Sequence, residues 1–191
     1  MNDAATPDTA ALTEEHVIAQ TKRWLERAVI GLRLCPFARA VYVNERVRYV
    51  VAMTTSSDEL AVTLADELTY LAQTDPSECE TTLIIHPHVL NDFDEYNQFL
   101  EFADVLISET ALEGVLQVAS FHPQYRFEDT DPNDIENFTN RSPYPTLHLL
   151  REESISRAVD EFPDVDEVGA RNQETMRALG HEGWRKLWES E

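Results

Sequence analysis

Glycine is scarce in this chain: 191 residues hold five, Gly31, Gly114, Gly169, Gly180 and Gly183. No G-x-G-x-x-G, P-loop or G-x-S-x-G elbow can be built from them, which excludes the usual dinucleotide, nucleotide and α/β-hydrolase signatures. Lysine is scarcer still, with Lys22 and Lys186 alone, and 15 basic residues face 36 acidic ones for a net charge of −21. A field of that sign repels phosphate backbones and anionic headgroups, so neither nucleic acid nor a membrane surface is an expected partner. No apolar run approaches the ~20 residues of a membrane span. Met1 to Leu12 has neither a basic start nor an apolar stretch and reads as a polar tail over 1–12, ahead of a single domain over 13–191. The two cysteines, Cys35 and Cys79, lie in different elements and form no C-x-x-C. Reduced thiols and a cytoplasmic location follow as expectations.

What is present supports a packed core, with 42% apolar and 27% charged residues. Charge is unevenly laid. Residues 22–48 carry seven basic side chains, whereas 49–125 carry none and 14 acids. The acidic middle reads as a solvated face; alternatively the basic segment packs against it or faces an anionic ligand.

Thr13 with Glu14 and Glu15 predicts a helix start, and Val17, Trp24, Leu25, Ala28, Val29 and Leu32 continue it to Gly31. Pro36 opens a short helix to about Tyr42. Val47–Met53, Thr81–Ile85 and Val115–Phe121 read as strands. Between them lie two helices opened by Ser56-x-x-Glu59 and Asp92-x-x-Glu95. Residues 123–145 show no period. Thr146–Arg151 suits a fourth strand, with a helix as the competing reading. A helix containing Ile155 and Phe162 follows, then one over about 165–179 that Gly180 ends, and a short last helix with Trp184, Leu187 and Trp188. Strands alternating with helices predict an α/β fold: one small, largely parallel or mixed sheet of about four strands from βαβ units, flanked by helices.

Two strands end in the same way, Ile85-His86-Pro87 and Phe121-His122-Pro123. In a parallel sheet both histidines lie at the carboxyl edge, where open α/β sheets bind ligands. Each alone also fits an ordinary strand end bonded to loop backbone. Arg151 joins that edge if the fourth strand is parallel, with His148 further inside it. His86 and His88 form an H-x-H to which His122 and His148 could add imidazoles for a metal, but no recognised ligand spacing accompanies them. Cys35 ahead of Pro36 would gain nucleophilicity from a helix N-terminus, or is a small buried hydrophobe. Asn140, Arg141 and Ser142 sit in the densest polar stretch. There Arg141 suits a carboxylate or phosphate, while Asn and Ser also satisfy turns locally. Asp129-x-Asp131-x-Asn133 imitates a calcium loop, but Asp134 and Asn140 stand where glycine and glutamate are needed.

Gly31-Leu32-Arg33-Leu34-Cys35-Pro36-Phe37-Ala38, Thr82 to Pro87, Phe121-His122-Pro123-Gln124-Tyr125 and the run from Asn137 to Glu152 carry a resemblance. Together they resemble the bacterial family known as domain of unknown function 1415. The likeness spans nearly all of the chain after the tail, and Thr139-Asn140-Arg141-Ser142-Pro143-Tyr144-Pro145 is its most specific stretch. It implies no activity or cofactor. Its segments coincide with the side chains chosen above on chemical grounds.

The first functional expectation is an enzyme acting on a small anionic metabolite. His122 is then general acid/base, with Cys35 and His148 as further catalytic candidates. His86, Asn140, Arg141, Ser142 and Arg151 would bind substrate. The alternatives are a non-catalytic ligand-binding or protein-interaction module, and a metal-dependent protein using His86 and His122 with His88.

Overall fold

The computed structural model describes residues 12–161 and 167–189; the tail expected over 1–12 lies outside them apart from Leu12. Helix starts follow the caps read from sequence. Thr13 Oγ1 accepts from the His16 amide at the head of α1 (Glu14–Trp24). Asp92 accepts from the amides of Asp94 and Glu95 ahead of α4 (Phe93–Glu109). Ser56 caps α3 (Ser57–Gln73) through the Glu59 amide, but Glu59 turns to the Thr54 hydroxyl instead of completing the capping box. Beyond Trp24 the first helix widens into a π-helical stretch, Leu25–Ile30, which ends at Gly31. A Cβ at Gly31 would collide with the Arg27 carbonyl. A short α2 (Ala38–Val43) follows the Cys35-Pro36 turn.

The strands are β1 (Val47–Val51), β2 (Thr81–Ile85), β3 (Leu116–Phe121) and β4 (Thr146–Arg151), in the order β1-β2-β4-β3. β1 and β2 run parallel, and β4 runs antiparallel to both β2 and β3. Three parallel strands therefore share one carboxyl edge, with β4 inserted among them in the opposite direction. The sheet is mixed, and helices cover both faces. Leu60, Leu64, Leu68 and Leu71 of α3 and Phe93, Tyr96 and Phe99 of α4 pack on Ile84, Leu147 and Leu149 on one face. Val17, Trp24, Ala28 and Val29 pack on Leu83, Ile85 and Phe121 on the other.

Two C-terminal helices complete the chain, α5 (Glu152–Glu161) and α6 (Val168–Glu189). Gly180, with φ 62° and ψ 173°, breaks α6 where a helix end is predicted. Past the break, Trp184 and Trp188 pack on the α1 cluster. Arg23 and Arg27 donate to the Trp188 and Leu187 carbonyls, at 2.7 and 2.6 Å. Cations on the last carbonyls of a helix satisfy its orphan acceptors and its dipole. The basic segment also pairs with the acidic middle, since Arg48 grips Glu67 through two bonds of 2.7 and 2.9 Å and Arg46 reaches Glu80. Among the described residues no helix is long and apolar enough to cross a membrane.

Candidate functional site

The parallel trio β1, β2 and β3 brings the two His-Pro corners to one edge, as the sequence predicts. Strand alternation then turns both histidines onto the α3/α4 face, because Ile85 and Phe121 before them face α1. His86 stacks on Tyr96 at 5.8 Å and His122 meets the same ring at 5.0 Å, with Phe93 5.3 Å from His122. Both imidazoles are fully buried. His122 Nδ1 accepts from the Gln124 amide at 3.0 Å, so its proton sits on Nε2, which donates to the Leu90 carbonyl at 3.1 Å. Burial holds its pKa below the usual histidine value. His86 Nδ1 donates to the Val89 carbonyl at 2.9 Å, and burial pushes its pKa down to about 4. His86 Nε2 is buried with no partner among the described residues.

The remaining predicted residues scatter. Arg151 corrects the expectation that it shares this edge. β4 is antiparallel, so Arg151 pairs with Leu116 at the opposite end of the sheet. One of its guanidinium nitrogens lies within 2.9 Å of the Leu71, Thr74 and Cys79 carbonyls. There it ties the end of α3 to the start of β2 and is far from any carboxyl-edge ligand. His148 lies inside the sheet on the α1 face, 5.8 Å from the Phe121 ring. The Thr81 hydroxyl proton goes to the Leu149 carbonyl, so His148 Nε2 donates to Thr81 Oγ1 at 2.7 Å. Burial pushes its pKa to about 4. Cys35 packs into the α1 cluster, across the sheet from His86 and His122. The Phe37 and Ala38 amides favour its thiolate, but burial is the larger effect and pushes the thiol pKa up. The gain in nucleophilicity expected from the helix start is therefore outweighed. His88 is exposed. Among the described residues no three His, Cys, Asp or Glu side chains cluster as metal ligands.

The aperiodic 123–145 stretch is ordered by its own polar residues. Asn137 accepts from the Phe127 amide and the Thr130 hydroxyl and donates to the Asp131 carbonyl. Asn140 and His122 bind each other's neighbourhood through the His122 amide and the Asn140 carbonyl. The Ser142 hydroxyl donates to the Tyr144 carbonyl at 2.6 Å. Arg141 donates to the Tyr125 and Pro132 carbonyls and lies 4.1 Å from the Phe138 ring.

Two clefts open beside this loop and share Pro123 and Arg141. One, of about 420 Å³, lies between the loop and the head of α4, where Asp94 pairs with Arg126 at 3.0 Å. The other, of about 340 Å³, lies between the loop, α1 and the end of α6. Arg23 and Arg141 reach it among Trp24, Phe138, Trp184 and Trp188. Phe138, Trp184 and Trp188 form a chain of edge-to-face rings at 5.3 and 5.4 Å. Sequence reasoning selected Arg141 and Ser142 of this lining and missed Arg23, Trp24 and Phe138. The i,i+4 pair Trp184/Trp188 was the visible signal, but its partner face could not be read locally.

No curated protein and no solved structure matches the chain. Residues 16–186 match the family described as Protein of unknown function (DUF1415), and the chain belongs to that family.

Proposed function

We propose that this protein binds a small anionic molecule in the 340 Å³ cleft between α1, the 123–145 loop and the end of α6. One observation carries the reading: both arginines of this cleft lack a carboxylate partner. Arg46, Arg48, Arg126, Arg177 and Arg185 each pair with an acid. Among the described residues Arg23 and Arg141 bond only backbone carbonyls, as Arg27 and Arg151 do elsewhere; what sets Arg23 and Arg141 apart is that they line a cleft walled by aromatic rings. In a chain of net charge −21, nothing about solubility calls for that arrangement. A cleft of a few hundred Å³ lined by rings with a few polar groups has the make-up of a small-molecule site.

The lining favours the ligand-binding alternative over catalysis by His122. Guanidinium, indole, amide and hydroxyl groups hold a ligand without exchanging protons near neutrality. His122 gives both ring nitrogens to backbone groups on the far side of Pro123. The cytoplasmic setting belongs to the proposal, supported by the two free cysteines.

The test is thermal unfolding of the full chain with acetate, succinate, benzoate and phosphate at matched ionic strength. The expected result is a saturable rise in Tm with at least one anion, lost in Arg23→Gln. No saturable rise, or the same rise in the variant, rejects the reading.

A further inference from the structure

We infer that the ligand is an aromatic monocarboxylate, its flat ring against the Phe138–Trp184–Trp188 wall and its carboxylate on Arg23. This rests on the anion reading above and specifies its ligand class. Two features of the cleft carry it, the donors left unspent and the shape of the apolar wall.

The charged and hydroxyl donors of the lining are unequally free. The Ser142 hydroxyl is committed to the Tyr144 carbonyl. Arg141 spends Nε and Nη2 on the Tyr125 and Pro132 carbonyls. Arg23 makes one bond, to the Trp188 carbonyl, and its Nε is buried without a partner. A buried charged donor left unmatched is costly, so this atom is the strongest unmet demand near the cleft. In the planar guanidinium Nε and Nη2 lie side by side, and Nη2 keeps a second N–H beyond the one given to Trp188, so the pair forms the fork that a carboxylate fills with two parallel bonds. A phosphoryl group has three oxygens to satisfy and is usually met by backbone amides at a helix start or a nest. Here the cleft supplies side chains of Gln20, Ser142 and two arginines instead.

The wall selects for a ring. Trp184 and Trp188 cross at 73°, and Phe138 and Trp184 at 75°. Rings packed edge to face offer both faces and edges to a further flat ring, and such contacts add to simple area burial. A small aliphatic acid would leave that wall wet.

The experiment titrates the full chain with benzoate, acetate, inorganic phosphate and uncharged benzamide at constant ionic strength, followed by tryptophan fluorescence. Trp24, Trp184 and Trp188 are the three tryptophans and all line the cleft. Benzoate is expected to bind at least about 10-fold tighter than either acetate or benzamide, a difference of about 1.4 kcal/mol. Arg23→Lys keeps the charge but removes the fork, and is expected to weaken benzoate about 10-fold while leaving benzamide unchanged. Acetate or phosphate binding as well as benzoate overturns the aromatic assignment and leaves the anion reading standing. Benzamide equal to benzoate overturns both, as does an unresponsive protein. Unaltered benzoate binding in a folded Arg23→Lys protein also overturns the assignment. Should that variant fail to fold, the four-probe ranking on the natural chain still decides.

Discussion

Arg151 and Arg141 illustrate how one residue type takes two roles in this chain. Both were chosen as anion-binding candidates, and both donate to backbone carbonyls. Arg151 is 9% exposed and serves three carbonyls at once, so no surface remains for a ligand. Arg141 is half-buried and stacks on Phe138 at the wall between two clefts. Arg151→Gln is therefore expected to lower stability by about 1–3 kcal/mol, as carbonyls lose their donor, and to leave anion binding unchanged. Urea unfolding beside a benzoate titration measures both. Retained stability with lost binding would reverse the assignment. The histidines follow the same division. His122 and His86 were legible as a pair because the dipeptide repeats at two strand ends. Their commitment to the Gln124, Leu90 and Val89 backbone was not, since those partners arrive from loop geometry.

Among the elements, the first helix departs furthest from a simple period. The apolar spacing from Val17 to Leu32 predicts one continuous helix, and the chain is continuous there. Yet its second half is π-helical, which the side-chain period does not reveal. The wider turn ends at Gly31, where the backbone leaves no room for a Cβ beside Arg27. Gly31→Ala is expected to cost about 1–3 kcal/mol, the range for forcing atoms into a filled space. A substitution in an ordinary helix would instead gain from alanine's propensity. Equal or higher stability by urea midpoint would show that the turn relaxes freely. The C-terminal helix was read correctly in its parts: an end at Gly180 and a short helix bearing Trp184 and Trp188. Its docking on α1 depends on Arg23 and Arg27 lying one helical turn apart and meeting successive terminal carbonyls, a match between segments about 160 residues apart.

For the molecule as a whole, desolvated imidazoles couple folding to pH. His86 and His148 are held at about 4 by burial, whereas in the unfolded chain they take up protons near ~6.5. Between those values the unfolded state binds more protons, so stability falls as pH is lowered. The full contribution is present above ~6.5 and is lost progressively down to the folded value, at up to about 1.4 kcal/mol per pH unit for each histidine. Neutralising part of a net charge of −21 acts in the opposite direction, so the informative quantity is a difference between proteins. His148→Gln keeps a donor for Thr81 and cannot titrate. Its stability from pH 6.5 to 4 is expected to fall less steeply than that of the natural chain, by about 1.4 kcal/mol per unit. Parallel slopes in urea titrations would mean that His148 titrates alike in the folded and unfolded protein.

Local chemistry in the sequence determined where elements begin and end. Thr13, Ser56 and Asp92 cap their helices because each needs only the amides of the next few residues. Thr81–Ile85 and Thr146–Arg151 match the observed strands because alternation and β-branching act within a strand. Tertiary structure alone decided that β4 enters between β2 and β3 in the opposite direction. A strand's hydrogen-bonding groups serve a parallel or an antiparallel neighbour, so the choice falls to packing with remote segments. That one decision sent Arg151 to the far edge. The pleat placed His86 and His122 against Tyr96, and long-range docking of the last helix assembled Arg23, Arg141 and the indoles around one cleft.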